Sequence, residues 1–383
     1  MFESLEIGSF EKLKEVLKVS ELQYKVSMKH FVTKNINSIF DLLNLKTLRF
    51  NNKLLIFRNL ESHFKRYFKN DNLIKILLYT VLFLGGMPKK TPALFSMMSY
   101  IDYKLGVWHP KEGIIKIVDA LVKLGLDNNV EYIYNANVEE INIENKKIKS
   151  VKYNNNILKT DLVVSNADYA FTETVLLDKK YSSYSQSYWN KKLLAPSAFV
   201  LYLGINKKLK SLKHHNVLIS KDWNKHFNQE ILTNPQWPTN PSIYVSCTSK
   251  TDPETAPEGC ESIFVTVPVA PNLPDEESIK NDYRDRIVKI IQNYLGENIS
   301  DSIVYSKIFT INDYKDMYNA YKGTALGLAP TLLQSAFFKP KNKSKKVNNL
   351  YYFGQYTNPG AGVPMCLISG QLVLDQIKRY ESH

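Results

Sequence analysis

Leu350-Tyr351-Tyr352-Phe353-Gly354-Gln355-Tyr356-Thr357-Asn358-Pro359-Gly360-Ala361-Gly362-Val363-Pro364-Met365 is the stretch on which the fold of this chain turns. Its first four residues read as a buried strand, the next nine as a turn dense in Gly and Pro, and an apolar helix is expected over Cys366–Ile377. Glycines let a ligand approach the backbone closely. Pro364 suits the first turn of a helix, where its missing N–H would be unpaired anyway. The N-terminus of such a helix offers free N–H groups and the positive end of a dipole, which suits phosphate or the electron-rich C2 carbonyl region of a flavin. Gly360-x-Gly362 matches the start of a dinucleotide fingerprint only superficially, because about twenty residues remain and the fingerprint needs a βαβ unit of roughly thirty. On spacing alone, a tight strand-to-helix turn without a ligand is an equal alternative.

Upstream, Lys339 to Asn349 is rich in lysine and reads as a solvated loop. Residues 170–320 mix strands and helices, with Phe199–Leu203 and Ile263–Val267 as strands and the proline-rich Asn234–Pro241 as irregular chain. Short strands are expected at Glu131–Tyr134, Val138–Ile143 and Ile148–Tyr153, the last two joined by a turn over 144–147, and Leu162-Val163-Val164 reads as a buried strand. Gly113 opens an amphipathic helix whose stripe is Ile114, Ile117, Val118, Leu121 and Leu124. The first ninety or so residues read as helical, with Ser9 as an N-cap ahead of Phe10, Leu13, Val16 and Leu17. The apolar run Leu73–Leu84, interrupted by Lys75, falls short of the roughly 20 residues of a bilayer span. It reads either as a buried core helix or as a helix dipping into one leaflet beside basic residues.

Composition sets wide bounds. A chain of 383 residues with 44% hydrophobic and 23% charged residues builds a packed core in two or three domains. The formal net charge of +13 goes with an abundance of Lys and Asn everywhere, and no nucleic-acid module accompanies it. Cys247, Cys260 and Cys366 form no CxxC pair, consistent with free thiols in the cytoplasm. Phosphate-loop, GxSxG and HExxH signatures are absent. Adjacent His214 and His215 are expected to point to opposite faces of a strand and to be structural. No metal site and no catalytic acid or base is nominated.

Further phrases fall in a fixed order along nearly the whole chain. They are Thr91-Pro92-Ala93, Gly106-Val107-Trp108-His109-Pro110, Asp161 to Asp168, Leu201 to Gly204, His214-His215-Asn216, Thr251-Asp252-Pro253, Ala256 to Gly259, Val267-Pro268-Val269, Tyr321 to Pro330, Gln334-Ser335-Ala336 and the terminal Gly/Pro motif. Together they resemble the bacterial phytoene desaturase family of carotenoid oxidoreductases, within the flavin amine oxidase-like group. The resemblance implies an α/β (α+β) fold: an FAD/NAD(P)-binding Rossmann-like part, a mixed-sheet substrate domain and a helical, membrane-facing part. The corresponding division is 1–95 helical, 96–170 FAD-domain segment, 171–320 substrate domain and 321–383 terminal FAD-domain segment.

The resemblance also implies FAD as cofactor. Gly354, Pro359, Gly360, Gly362, Val363, Pro364 and Met365 are expected near the flavin, and Val138 at the adenine. Trp108 and Tyr100 are expected along a substrate channel, with aromatic packing between domains as the alternative, as an ordinary core valine is for Val138. The implied reaction is desaturation of a phytoene-like precursor, a hydrophobic polyene, with quinone or oxygen as electron acceptor and peripheral contact with the cytoplasmic membrane. A carotenoid isomerase, saturase or oxidase, and a non-catalytic lipid-binding remnant, stand as alternatives. Two departures accompany it. Asn358 stands where the family often has His, and the strand–GxGxxG–helix with which the family begins is not seen before Phe10. The expectation is therefore a fold lacking its first βαβ unit that alone binds FAD poorly or not at all, and that either is completed by a separate N-terminal FAD-binding polypeptide or is the product of a truncated gene.

Overall fold

A computed structural model describes residues 1–36, 54–82 and 84–381. In chain order its main elements are α1 (Ser9–Ser27), α2 (Asp71–Leu82) and α3 (Ile115–Asp127). Next come β1 (Val138–Glu144), β2 (Lys147–Tyr153), β3 (Asn156–Lys159) and β4 (Val163–Ser165). They are followed by β5 (Ser197–Ile205), β6 (His215–Leu218), β7 (Ile243–Cys247) and β8 (Glu261–Val269). The last are α4 (Glu277–Leu295), β9 (Ile303–Phe309), β10 (Leu350–Tyr352) and α5 (Val363–Glu381). The chain divides into two compact units, one of Met1–Val107, Ala136–Ala195 and Leu326–His383, the other of Trp108–Asn135 and Pro196–Ala325. The second unit thus takes in residues that the sequence reading set within 96–170.

In the first unit the N-terminal region is helical, and residues 37–53 and Phe83 of that expectation lie outside the described residues. Ser9 is the first helical residue of α1 rather than its cap; Gly8 holds the cap position. The Glu3 carboxylate does the capping, accepting from the N–H of Gly8 at 2.7 Å and of Phe10 at 3.0 Å. Helix α2 buries Leu73, Ile74, Leu77, Leu78, Tyr79, Thr80 and Val81, so the run is a core helix. Among the described residues no helix is long and apolar enough to cross a membrane.

β1, β2 and β3 form an antiparallel sheet, and β1 turns into β2 through Asn145 and Lys146, both at positive φ. That left-handed pair matches the twist of a two-residue hairpin. β3 was not foreseen. No strand forms over Glu131–Tyr134: no partner strand takes up its backbone groups among the described residues, and Tyr132, Ile133 and Tyr134 are exposed. β4 pairs in parallel with β10 in the register Leu350↔Val163, Tyr351↔Val164 and Tyr352↔Ser165. β10 is buried throughout, whereas Val164 in β4 is exposed, against the expectation of a buried strand.

The second unit is built on an antiparallel sheet in the order β6-β7-β8-β5-β9. Residues of β8 alternate between buried and half-buried, the period-two signature of a sheet with one covered face. Tyr283, Ile287, Val288, Ile291 and Leu295 of α4 join Leu201, Leu203, Val245, Val265 and Val267 in one core. Each fully buried side chain of this kind contributes roughly 1.5–3 kcal/mol. Asn234–Pro241 is irregular, as its prolines require.

Candidate functional site

The strand-to-helix turn lies in the first unit. β10 ends at Tyr352, and Phe353 N–H extends the parallel pairing to the carbonyl of Ser165 at 3.1 Å. The chain then turns through Gly354 at φ 109°, crosses a cis Asn358–Pro359 bond, and enters α5 through Gly360 at φ 143° and Gly362 at φ 110°. These φ values strain any residue with a Cβ. At Gly354 a Cβ would also stand 2.5 Å from Nδ2 of Asn166, which donates to the Phe353 carbonyl at 3.1 Å. At Gly362 nothing lies within 4 Å of a built Cβ, so that backbone faces open space.

Ser369, nearly two turns into α5, fastens this loop to the helix. Its hydroxyl accepts from the N–H of Gly354 at 3.2 Å and bonds the Thr357 hydroxyl at 2.8 Å. Cys366 N–H makes its bond to the Gly362 carbonyl at 2.9 Å. The N–H groups of Val363 and Met365 precede it in the helix and belong to the unpaired first turn, while Pro364 has none to offer. Val363 and Leu367 are exposed, so an apolar surface borders the helix N-terminus.

Beneath the turn is a layer of aromatic rings around two carboxyl groups, those of Asp168 and Glu173. Tyr352 and Tyr169 stack at 3.9 Å between centroids, with Trp189 packed against Tyr169 and Tyr356. The Tyr356 hydroxyl donates to Asp168 at 2.6 Å, and Asp168 caps the following helical turn at Phe171 N–H. Glu173 is fully buried and accepts from the Tyr352 hydroxyl at 2.6 Å and from Tyr184 N–H at 2.9 Å. Burial pushes its carboxyl above the usual range despite those donors.

The lysine-rich segment is not the solvated loop its composition suggested. Asn342, Ser344, Val347 and Asn349 are buried, and Lys339 is only 7% exposed. Lys339 Nζ donates to the Gln355 carbonyl at 3.4 Å and stands 3.6 Å from a Cβ built on Gly360. A run of lysines carries no signal for which one turns inward, so the sequence reading missed it.

The remaining expected site residues are carried by other elements. Val138, half-buried, begins β1 opposite Tyr153. Tyr100 packs on Tyr24 at 5.5 Å between centroids, and Trp108, in the second unit, is 87% exposed. Within that unit three of the ordered phrases converge. His109 Nε2 lies 3.2 Å from Asp252, and its ring is 5.1 Å from that of His214. His214 and His215 have centroids 4.2 Å apart rather than facing opposite ways, because β6 begins only at His215. Their Nδ1 atoms bond Thr251 and Tyr244 respectively.

A glycine-lined turn between a parallel strand and a long helix, with free N–H groups, open space and a buried cation, fits an electron-rich planar ligand such as a flavin ring. The comparisons agree. Residues 4–377 match the model of the flavin containing amine oxidoreductase family. The chain is 40% identical over 371 residues to a carotenoid 3,4-desaturase of Haloarcula japonica, covering 97% of this chain and 75% of that protein. It is 30% identical to a 4,4'-diapophytoene desaturase (4,4'-diaponeurosporene-forming) of Staphylococcus haemolyticus, covering 97% and 76%. The structure of cyclohexylamine oxidase from Brevibacterium oxydans superposes with a TM-score of 0.54 at 9% identity, covering 97% of this chain and 75% of that one, a likeness of fold alone.

Proposed function

This chain belongs to the flavin-containing amine oxidoreductase family and, within it, to the carotenoid desaturases, and from that membership we propose that it introduces carbon–carbon double bonds into a phytoene-like carotenoid precursor. It is an FAD-dependent oxidoreductase with the family's mixed α/β flavoprotein fold. The observation that carries the carotenoid reading is the 40% identity to a carotenoid 3,4-desaturase across 97% of the chain, and the phytoene-like precursor rests on the 30% identity to a 4,4'-diapophytoene desaturase.

When bound, the flavin supplies a two-electron, hydride-accepting ring. This chain's residues hold and orient it: Gly354, Pro359, Gly360 and Gly362 through close backbone approach, Val363 and Met365 through their free N–H groups, and Pro364 by setting the helix entry. The exposed apolar side chains of Val363 and Leu367 favour a hydrocarbon over water beside that turn. Each desaturation converts a CH–CH pair to C=C, losing a hydride equivalent and one proton. Trp108 and Tyr100 are proposed as apolar contacts for the polyene, and Val138 as a backbone contact for the adenine. Peripheral association with the cytoplasmic membrane and reoxidation by quinone or oxygen complete the proposal; the water-insolubility of a polyene supports the former.

The test is product analysis. The purified chain is supplied with FAD, an electron acceptor and liposomes carrying phytoene, diapophytoene or an already conjugated carotenoid, and the extracted pigments are separated. Products with longer conjugation and longer-wavelength absorption are expected from at least one substrate. Isomerised, saturated or oxygenated products with no added double bond would replace desaturation with another chemistry.

A further inference from the structure

A charged side chain buried without a counter-charge is costly unless something completes its environment. Lys339 is such a group. The residue is 7% exposed, and no carboxylate pairs with its ammonium among the described residues. Its hydrogen bond, to the Gln355 carbonyl, is long at 3.4 Å, leaving donor capacity unused. Cys366, in the first turn of α5, is the titratable group that faces it, and burial keeps that thiol above its ordinary range and hence neutral. Burial in turn pushes the ammonium down to about 8.

The placement of this cation is specific. Nζ and Cε of Lys339 are the nearest atoms to a Cβ built on Gly360, at 3.6 and 3.7 Å. Gly360, having no side chain, puts nothing between the ammonium and the turn that leads to the open backbone at Gly362 and the N-terminus of α5. The ammonium and the helix dipole therefore place positive potential on the same turn.

Resting on the flavin reading above, we propose that Lys339 is the buried cation that stabilises the electron-rich N1–C2=O edge of the flavin ring, and more strongly after reduction, when that edge carries more negative charge. Lys339 is a positioning and tuning residue: it biases the site toward the reduced cofactor and so draws electrons from the hydrocarbon.

The experiment is equilibrium dialysis of oxidised FAD, of dithionite-reduced FAD and of ADP against the wild-type chain, K339M and K339R, which tolerates weak binding. In K339M the ratio of the oxidised to the reduced dissociation constant is expected to fall about tenfold, equivalent to about 30 mV for a two-electron couple. K339R is expected to stay within threefold of wild type. The apo form of K339M is expected to melt above wild type, because the unpaired charge is gone. An unchanged ratio in K339M with both forms still bound would overturn the inference and leave the flavin reading standing. Equal weakening of ADP and of both FAD forms would assign the cation to phosphate, also overturning it. No measurable binding of either FAD form by wild type, alone or together with a co-expressed N-terminal FAD-binding polypeptide, would contradict the flavin reading itself. A lower melting point for apo K339M would show that Lys339 is held for its bond to Gln355.

Discussion

Two helices of the second unit, α3 and α4, carry similar apolar stripes and end in opposite environments. α4 closes the core of the antiparallel sheet with Tyr283, Ile287, Val288, Ile291 and Leu295. α3 carries Ile117, Val118, Leu121 and Leu124 at the same kind of spacing, and all four are exposed. Periodicity states that a helix has a face to cover; it does not state what covers it. The sheet that covers α4 is made of strands close in sequence whose alternation fixes their inner face.

The largest effect that sharpens this contrast is a paired truncation. Ile291→Ala removes a fully buried side chain and is expected to cost about 2–5 kcal/mol. Leu121→Ala on the exposed stripe is expected to stay within about 0.5 kcal/mol. Urea denaturation of both variants measures it; a comparable loss for Leu121→Ala would mean that the α3 stripe is covered in solution.

Lys339 extends the comparison to a group that is covered but unpaired. Its folded value, about 8, lies below the ordinary lysine value of 10.5, so between those limits the unfolded chain binds more protons. Stability of the apo chain is expected to rise with pH across that window, by on the order of 3 kcal/mol relative to K339M. The Cys366 thiol, raised by burial, adds a pH dependence of its own, so the comparison is repeated in a Cys366→Ser background. Parallel pH profiles for the two forms would place the ammonium in water. At the opposite sign stands Glu173, whose folded value is raised: its contribution is complete below 4.5 and lost as pH climbs through the raised value. Glu173→Gln is expected to flatten that decline, as thermal melts between pH 4 and 7 would record.

Smaller effects separate the glycines of the turn. Gly354→Ala meets both the backbone strain and the Asn166 amide 2.5 Å away, and is expected to cost about 1–3 kcal/mol. Gly362→Ala meets the strain alone, with open space around it, at about 1 kcal/mol. If the open space is where the flavin lies, Gly362→Ala weakens FAD binding out of proportion to its stability loss.

Much of this was legible in sequence because it is local. The turn from Leu350 to Met365 announces itself by Gly and Pro, β5 and β8 by runs of apolar, β-branched and aromatic residues, and β1 and β2 by their turn. The resemblance in ordered phrases placed the chain in its family. Segments whose structure depends on a neighbour were misread. Glu131–Tyr134 has strand-like residues and no partner strand, and Val164 lies in a strand yet is exposed. Glu173 and Lys339 are charged residues whose burial depends on aromatic rings and a loop far away in sequence. Composition treats both as surface.

The most direct test of the central claim couples the two halves of the proposed reaction. Anaerobic, FAD-loaded protein is mixed with liposomes carrying the polyene while the visible flavin band is followed. The account predicts bleaching of one flavin per double bond formed in the extracted carotenoid. A flavin band that dithionite bleaches and the polyene leaves unchanged would contradict it.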